Sequence, residues 1–335
     1  MRTHSVVTEI EELTLADPRI VFIGSDLGAG LFERLRKEAP ERFFMEGISE
    51  QHLVGMAAGM AREGFIPFVM TIATFLTRRC LEQIAVDAAL HGLPVRLLGT
   101  GSGLAYASLG PTHIAVDDFA LLRAVPGMTV LAPAETLEAN TLLRQSVEYP
   151  GPLYMRLPRG AEEPMPELAA SEIGRPVLLR EPGQVLIVST GQLTSVALDA
   201  RELLVARGIT AGVLHAHTVH PLDRATLTAS TAGVELVMTV EEHRRAGGLG
   251  SAVLEALHDA PLSPVPTVLR HGVGDSFVSG YGTREEQLAR HGLTAEALCD
   301  AAEGVMRSLV PGERGEPPEP AGSARTQGTA AHSRE

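Results

Sequence analysis

The chain has no tryptophan, and aromatic residues make up only 4% of its 335 positions. Leu, Val, Ile and Ala must therefore build the core, as they do in parallel sheets buried on both faces. Cysteine is nearly absent. Cys80 and Cys299 stand far apart with no metal-like spacing, which excludes a disulfide framework and a cysteine-ligated zinc site. Positive charge is in deficit: Lys plus Arg total 28 against 41 Asp plus Glu, a net charge of -13. A nucleic-acid surface requires the opposite balance. No run approaches the roughly 18 apolar residues of a membrane-spanning helix, so no membrane partner is expected. The opening MRTHSVVTEI lacks the apolar centre of a secretion signal, and the cytoplasm is the expected compartment.

What remains is a globular composition, 44% apolar and 21% charged, in a chain long enough for two domains. Short apolar runs alternate with helical patterns. RIVFIG (19–24), RFFMEG (42–47), FIPFVM (65–70), PVRLLG (94–99), MTVLAP (128–133) and PLYMR (152–156) read as strands. Between them, 31–39, the small-residue segment from Ser49, 75–92 and 135–148 read as helices. Pro67 inside its strand points to a sheet edge or a bulge. Pro158, Pro164, Pro166, Pro176 and Pro182 then mark a linker. The pattern restarts with strands at 184–190, 209–216, 235–241 and 265–270 and helices at 193–207, after Pro221, from about 248 and from Ala295. Such alternation implies an α/β fold of two doubly wound domains with mostly parallel sheets. The domains are expected over 1–160 and 184–310, joined by a linker over 161–183. Residues 311–335, rich in Pro, Gly and polar residues without apolar periodicity, are expected to form a disordered tail.

Four segments carry the polar chemistry. Gly47-Ile48-Ser49-Glu50-Gln51-His52 follows a strand and opens a helix. By itself it reads as a capped helix start, with Ser49 near the N-cap and Glu50 favoured by the helix dipole. Gly55, Ala57, Ala58 and Gly59 then allow close approach of another backbone, in helix packing or at a subunit interface. Thr74-Phe75-Leu76-Thr77-Arg78 lies at a strand-to-helix turn, where a Phe is usually core and an Arg usually solvated. Gly110-Pro111-Thr112-His113 ends a glycine-rich loop, a better place for a functional histidine than an apolar helix face. Arg156, in YMRLPRG (154–160), ends the last strand of the first half. Ligands of open α/β sheets gather at such carboxyl ends, and arginine suits phosphate or carboxylate. A surface ion pair is the plainer reading.

Taken in order, GISEQH, TFLTRR, GPTH and YMRLPRG resemble the pyrimidine-binding domain of transketolases and deoxyxylulose-phosphate synthases. TVEEH (239–243), GGLGSAV (247–253) and GLTAEAL (292–298) resemble that family's C-terminal domain. The resemblance implies a thiamine diphosphate enzyme, a transferase moving a two-carbon ketol unit between sugar or sugar-phosphate substrates. The cofactor supplies the carbanion chemistry and the protein tunes it. Glu50 matches the catalytic glutamate that hydrogen-bonds the pyrimidine N1′ and drives the tautomer that removes the C2 proton. Phe75 matches the aromatic stacked on the aminopyrimidine, Arg78 an arginine of the synthase-type members, and Ile48 belongs to the same cofactor segment as Glu50. Asp26, in Gly24-Ser25-Asp26-Leu27, resembles a segment near the thiazolium. His113 matches a catalytic, substrate-side histidine, and Arg156 an arginine that holds the substrate phosphate.

Three features depart from the family pattern. Leu109 stands where the family has an Asp that contacts a sugar hydroxyl, and Gly101 stands where ordinary transketolases have a further histidine. Both changes imply an unusual substrate, less hydroxylated or amino-bearing. There is also no Gly-Asp-Gly followed by Asn, the family's signature for holding the diphosphate through a metal. Mg2+ and its ligands are therefore expected on an N-terminal-type partner subunit, in a heterotetramer with two copies of each. Other readings are the β-subunit of a 2-oxo acid dehydrogenase, which GPTH and RLPRG fit poorly, and a fragment of a deoxyxylulose-phosphate synthase. A non-catalytic subunit of the same fold is a fourth, against which the retained Glu50 speaks.

Overall fold

The computed structural model describes residues 5–26, 30–158 and 164–309. The apolar runs of the first half become β1 (Ile20–Gly24), β2 (Phe43–Met45), β3 (Ile66–Ile72), β4 (Arg96–Thr100), β5 (Thr129–Leu131) and β6 (Leu153–Arg156). All pair in parallel. The second half contributes β7 (Val177–Arg180), β8 (Val185–Ser189), β9 (Ala211–His215), β10 (Thr218–His220), β11 (Leu236–Arg244) and β12 (Thr267–Val273). Five of these form a sheet in the order β12-β11-β8-β9-β7, parallel except for β7. The exception, β10, crosses to the first sheet and pairs antiparallel with β5. That completes seven strands in the order β10-β5-β6-β4-β3-β1-β2. The chain is thus an α/β protein of two mostly parallel sheets. β1, β8 and β9 are buried along their whole length, which is why each reads as an unbroken apolar run.

The covering helices are α1 (Val6–Ala16), α2 (Glu33–Glu38), α3 (Glu50–Arg62), α4 (Ala73–Arg78), α5 (Asp118–Arg123), α6 (Thr136–Glu148), α7 (Leu193–Ala206), α8 (Arg224–Ala229), α9 (Leu249–Asp259), α10 (Arg284–Arg290) and α11 (Ala295–Leu309). Their ends follow local rules. Ser5 accepts the Thr8 amide at 3.1 Å to start α1, and Thr283 and Glu286 form a capping box on α10. One apolar cluster runs through both halves, from Ile23, Leu76, Phe119 and Leu122 to Leu186, Val188, Leu214 and Val253. Each such side chain stabilises the fold by about 1.5–3 kcal/mol, so the two sheets share one core. Among the described residues, no helix is long and apolar enough to cross a membrane.

Several expectations need correction. Pro67 lies in a central strand rather than at an edge or bulge, for β3 pairs with β1 and β4. The Ile66 amide bonds to Arg19 O on the β1 side at 2.7 Å, so the Pro67 nitrogen faces the other neighbour. The ladder with β4 begins only at Phe68, and no hydrogen bond is forfeited. The helix expected over 75–92 is broken. α4 ends at Arg78, and the residues beyond widen into a π-helical segment, Gln83–Ala89, a form that recurs at functional sites. The stretch read as linker holds β7, bracketed by Pro176 and Pro182 at a sheet edge where their missing amides cost nothing. The tail read over 311–335 lies outside the described residues.

Candidate active site

The polar segments lie at the carboxyl ends of β1, β2, β3, β4 and β6, the side on which a doubly wound sheet binds ligands. Glu50 is the first residue of α3, and its side chain is 1% exposed. Ser49 precedes it at the N-cap position, but its hydroxyl donates to Glu46 O at 3.0 Å and caps nothing. Phe75 sits on α4, directly after β3. His113 meets the Phe75 ring edge-on, with centroids 5.2 Å apart, and its Nδ1 lies 2.9 Å from the Thr112 hydroxyl. Arg78 grips Asp117, its Nε 2.9 and 3.0 Å from the two carboxylate oxygens. Asp26 follows β1, accepts from the Ser25 hydroxyl at 3.1 Å, and is tied to β3 through a Ser25–Thr71 bond of 2.8 Å. Ile48, 71% exposed, stands in the loop before α3.

One residue here was missed. Arg79 directs Nη1 at Glu50 Oε2, 2.8 Å away, and lays its guanidinium over the Phe75 ring, 4.3 Å from the centroid. The slot between Glu50 and Phe75 therefore accepts a flat, cationic, hydrogen-bonding group. The sequence signal was the second Arg of TFLTRR, which nothing local set apart from the first. Cys80, beside it, is no nucleophile: burial first, and then the Glu50 charge, push its thiol up to about 12.

Arg156 is not the surface ion pair of the plainer reading. It is 8% exposed and bonded to Asp118 through Nε at 2.8 Å and Nη2 at 2.5 Å. The Tyr154 hydroxyl donates to the same carboxylate at 2.7 Å. Further Arg156 donors reach Ala115 O and Glu242 O, and its guanidinium lies 3.7 Å from the Phe119 ring centroid. It still forms part of the wall of a small inter-domain cavity with Ser102, Pro133, Thr190 and Gln192. Burial raises the Asp118 carboxyl, but Arg156 more than offsets this and holds it below its ordinary value.

The TVEEH motif braces the loop that carries His113. Glu242 accepts the Leu104 amide at 2.6 Å and pairs with Arg284. A side chain on Gly103, at φ +60, would strike the Glu242 carboxyl 2.7 Å away. His243 accepts the Ala120 amide through Nε2, donates Nδ1–H to Arg244 O and stacks on Phe119. Burial holds it near 4, hence neutral. Glu241 accepts the Leu249 and Gly250 amides at the start of α9. Farther along the loop, Gly101 adopts φ +64, and the Tyr106 ring stands 1.8 Å from where a Cβ would be. A histidine at Gly101 is therefore excluded unless Tyr106 moves. Leu109 is half exposed and Tyr281 packs on Gly110. Among the described residues there is no cluster of three metal-ligating side chains.

Comparison with known proteins finds relatives across both halves of the chain. Residues 3–163 match the transketolase pyrimidine binding domain, and residues 174–298 match the transketolase C-terminal domain. A 6-deoxy-6-sulfo-D-fructose transketolase subunit, SqwH, of Clostridium sp. (strain MSTE9) is 36% identical over 88% of this chain and 91% of its own. A 1-deoxy-D-xylulose-5-phosphate synthase of Synechococcus sp. (strain JA-2-3B'a(2-13)) is 38% identical over 89% of this chain but 46% of its own. The chain thus spans about half the length of the synthase relatives it matches. A split gene transketolase solved as an inactive β4 tetramer superposes with a TM-score of 0.81 at 37% identity, covering 89% of this chain and 95% of that one. The chain belongs to the transketolase family, and its matches to the SqwH subunit and to the split gene transketolase span 91% and 95% of those chains.

Proposed function

We propose that this chain is the pyrimidine-binding half of a two-subunit, thiamine-diphosphate-dependent transketolase. Its reaction transfers a two-carbon ketol unit between sugar or sugar-phosphate substrates. The observation that carries the reading is the buried Glu50 carboxylate facing the Phe75 ring across a slot that already accepts a planar cation. Thiamine diphosphate, when bound, supplies a C2 nucleophile able to take up the ketol unit. Glu50 would hold the pyrimidine N1′ and Phe75 would give its stacking face, with Ile48 in the same segment as Glu50. Asp26 would lie toward the thiazolium. Arg78, on the same helix as Phe75, is held by Asp117. His113, half buried at the edge of Phe75, faces the substrate and exchanges protons with it. Arg156 lines the cavity wall as the candidate contact for a substrate phosphate, with its charge balanced by Asp118.

The diphosphate and Mg2+ belong to a partner subunit, in an assembly with two copies of each. Two observations support this. The split-type neighbour was solved as an inactive tetramer of β chains. In this chain, moreover, no atom lies within 4 Å of a Cβ built on Gly55 or Gly59 of α3, and Leu90 is 74% exposed. Gly55 and Gly59 of α3 are thus open to another chain, whereas Ala57 and Ala58 are buried in this chain's core. Leu109 and the Tyr106-filled space at Gly101 support a donor with fewer hydroxyls to be gripped.

The test is co-expression with a subunit carrying the Gly-Asp-Gly signature, followed by titration of thiamine diphosphate and Mg2+ into the chain alone and the complex. Tight binding only in the complex, with ketol transfer, is the expected result. Equal binding to the lone chain, or none to either, contradicts the reading.

A further inference from the structure

We propose that Arg79 is a built-in stand-in for the cofactor's aminopyrimidine, which the cofactor must displace in order to bind. The inference rests on the function proposed above and deepens it. Three features place Arg79 in that role. Its Nη1 donates to Glu50 Oε2 at 2.8 Å, the bond the pyrimidine N1′ would make to the same carboxylate. Its guanidinium lies over Phe75 at 4.3 Å, where a flat ring would stack. It is the one partner here that is free to leave: the Arg79 side chain is 42% exposed, against 1% for Glu50. Its neighbour Arg78, by contrast, is committed to both oxygens of Asp117.

The arrangement answers a physical problem. A carboxylate buried without a partner is costly, and Glu50 has to be buried to act on a pyrimidine nitrogen. A planar guanidinium satisfies it by hydrogen bonding and stacking together. The same contacts compete with the cofactor, because the fraction of molecules with an open slot scales the apparent affinity. Arg79 thus keeps the unloaded chain folded and its slot filled. Cofactor occupancy then depends on the additional diphosphate and metal contacts of the assembled enzyme.

The experiment compares thiamine diphosphate binding, with Mg2+, to the complex carrying wild-type chain, Arg79→Ala, Arg79→Lys and Glu50→Gln. Calorimetry and cofactor-induced shift of the melting temperature are the readouts. Arg79→Ala is expected to melt lower without cofactor and to bind about tenfold more tightly, so that its cofactor-induced shift is larger than wild type. Arg79→Lys, a cation that cannot stack as a plane, is expected to fall between. In a Glu50→Gln background the gain from Arg79→Ala should shrink. Unchanged affinity in both Arg79 variants overturns the proposal. Weakened affinity also overturns it, by placing Arg79 among the cofactor's own contacts. If wild type and variants all fail to bind thiamine diphosphate, the function proposed above falls, and this inference with it.

Discussion

Replacing Asp118 by Asn should destabilise the protein strongly even though the two side chains share a shape. Asp118 is fully buried and receives Arg156 Nε at 2.8 Å, Arg156 Nη2 at 2.5 Å and the Tyr154 hydroxyl at 2.7 Å. The amide can still accept from Tyr154, but it leaves a buried guanidinium without its counter-charge. Breaking a buried pair in this way costs about 3–5 kcal/mol. With a urea slope of about 3 kcal/mol per molar, suited to a chain of this size, the unfolding midpoint should fall by about 1 M or more. Acid dependence gives a second reading. The folded Asp118 titrates below its ordinary value of 3.8, so its contribution is fully present above the unfolded value and is lost as pH falls through the folded one. The gap between wild type and Asp118→Asn should therefore be constant above about pH 4.5 and narrow below about pH 3.5. Changing Asp118 to Leu together with Arg156 to Met should recover part of the loss, because no lone charge remains while the buried Tyr154 hydroxyl still loses its acceptor. A single variant within about 0.5 kcal/mol of wild type, a surface-like value, would refute the reasoning.

Glu241 offers the opposite pH sign. Burial raises its carboxyl to about 7, against the lowering effect of the Gly250 and Leu249 amides. An acid raised in the folded state destabilises as pH climbs from its unfolded toward its folded value, here between about 4.5 and 7. Glu241→Gln should flatten that part of a melting profile, and an unchanged slope contradicts the assignment. Leu109→Asp should shift kcat/KM between ketose donors by about tenfold, while thiamine diphosphate affinity stays within about twofold. Identical kinetics with every donor would show that the loop does not set specificity.

The sequence revealed most where a residue's surroundings are local. β1, β8 and β9 were legible because strands buried on both faces read as unbroken apolar runs. β10 was not: its three residues owe their pairing to β5, which lies some ninety positions earlier. β7 hid between prolines that normally signal a linker and here flank an edge strand. Among the proposed site residues, Glu50, Phe75 and His113 were read from the order of their motifs; the fold sets His113 against the Phe75 ring and links Glu50 to it through Arg79. Arg156 was read as a ligand-gripping end of strand, but its partner Asp118 stands 38 residues away and only tertiary structure joins them. Arg79 escaped for a simpler reason. Two adjacent arginines look alike until the break after α4 sends one to Asp117 and the other to Glu50.

The central claim is that Glu50 activates a thiamine cofactor at this site, and its most direct test is deuterium exchange at C2. Thiamine diphosphate bound to the assembled complex is exposed to heavy water, and the loss of the C2 proton is timed with wild-type chain and with Glu50→Gln. The account predicts that the variant folds, assembles and binds cofactor, yet exchanges at least about 100-fold more slowly. Exchange at the wild-type rate in the Glu50→Gln complex would contradict it.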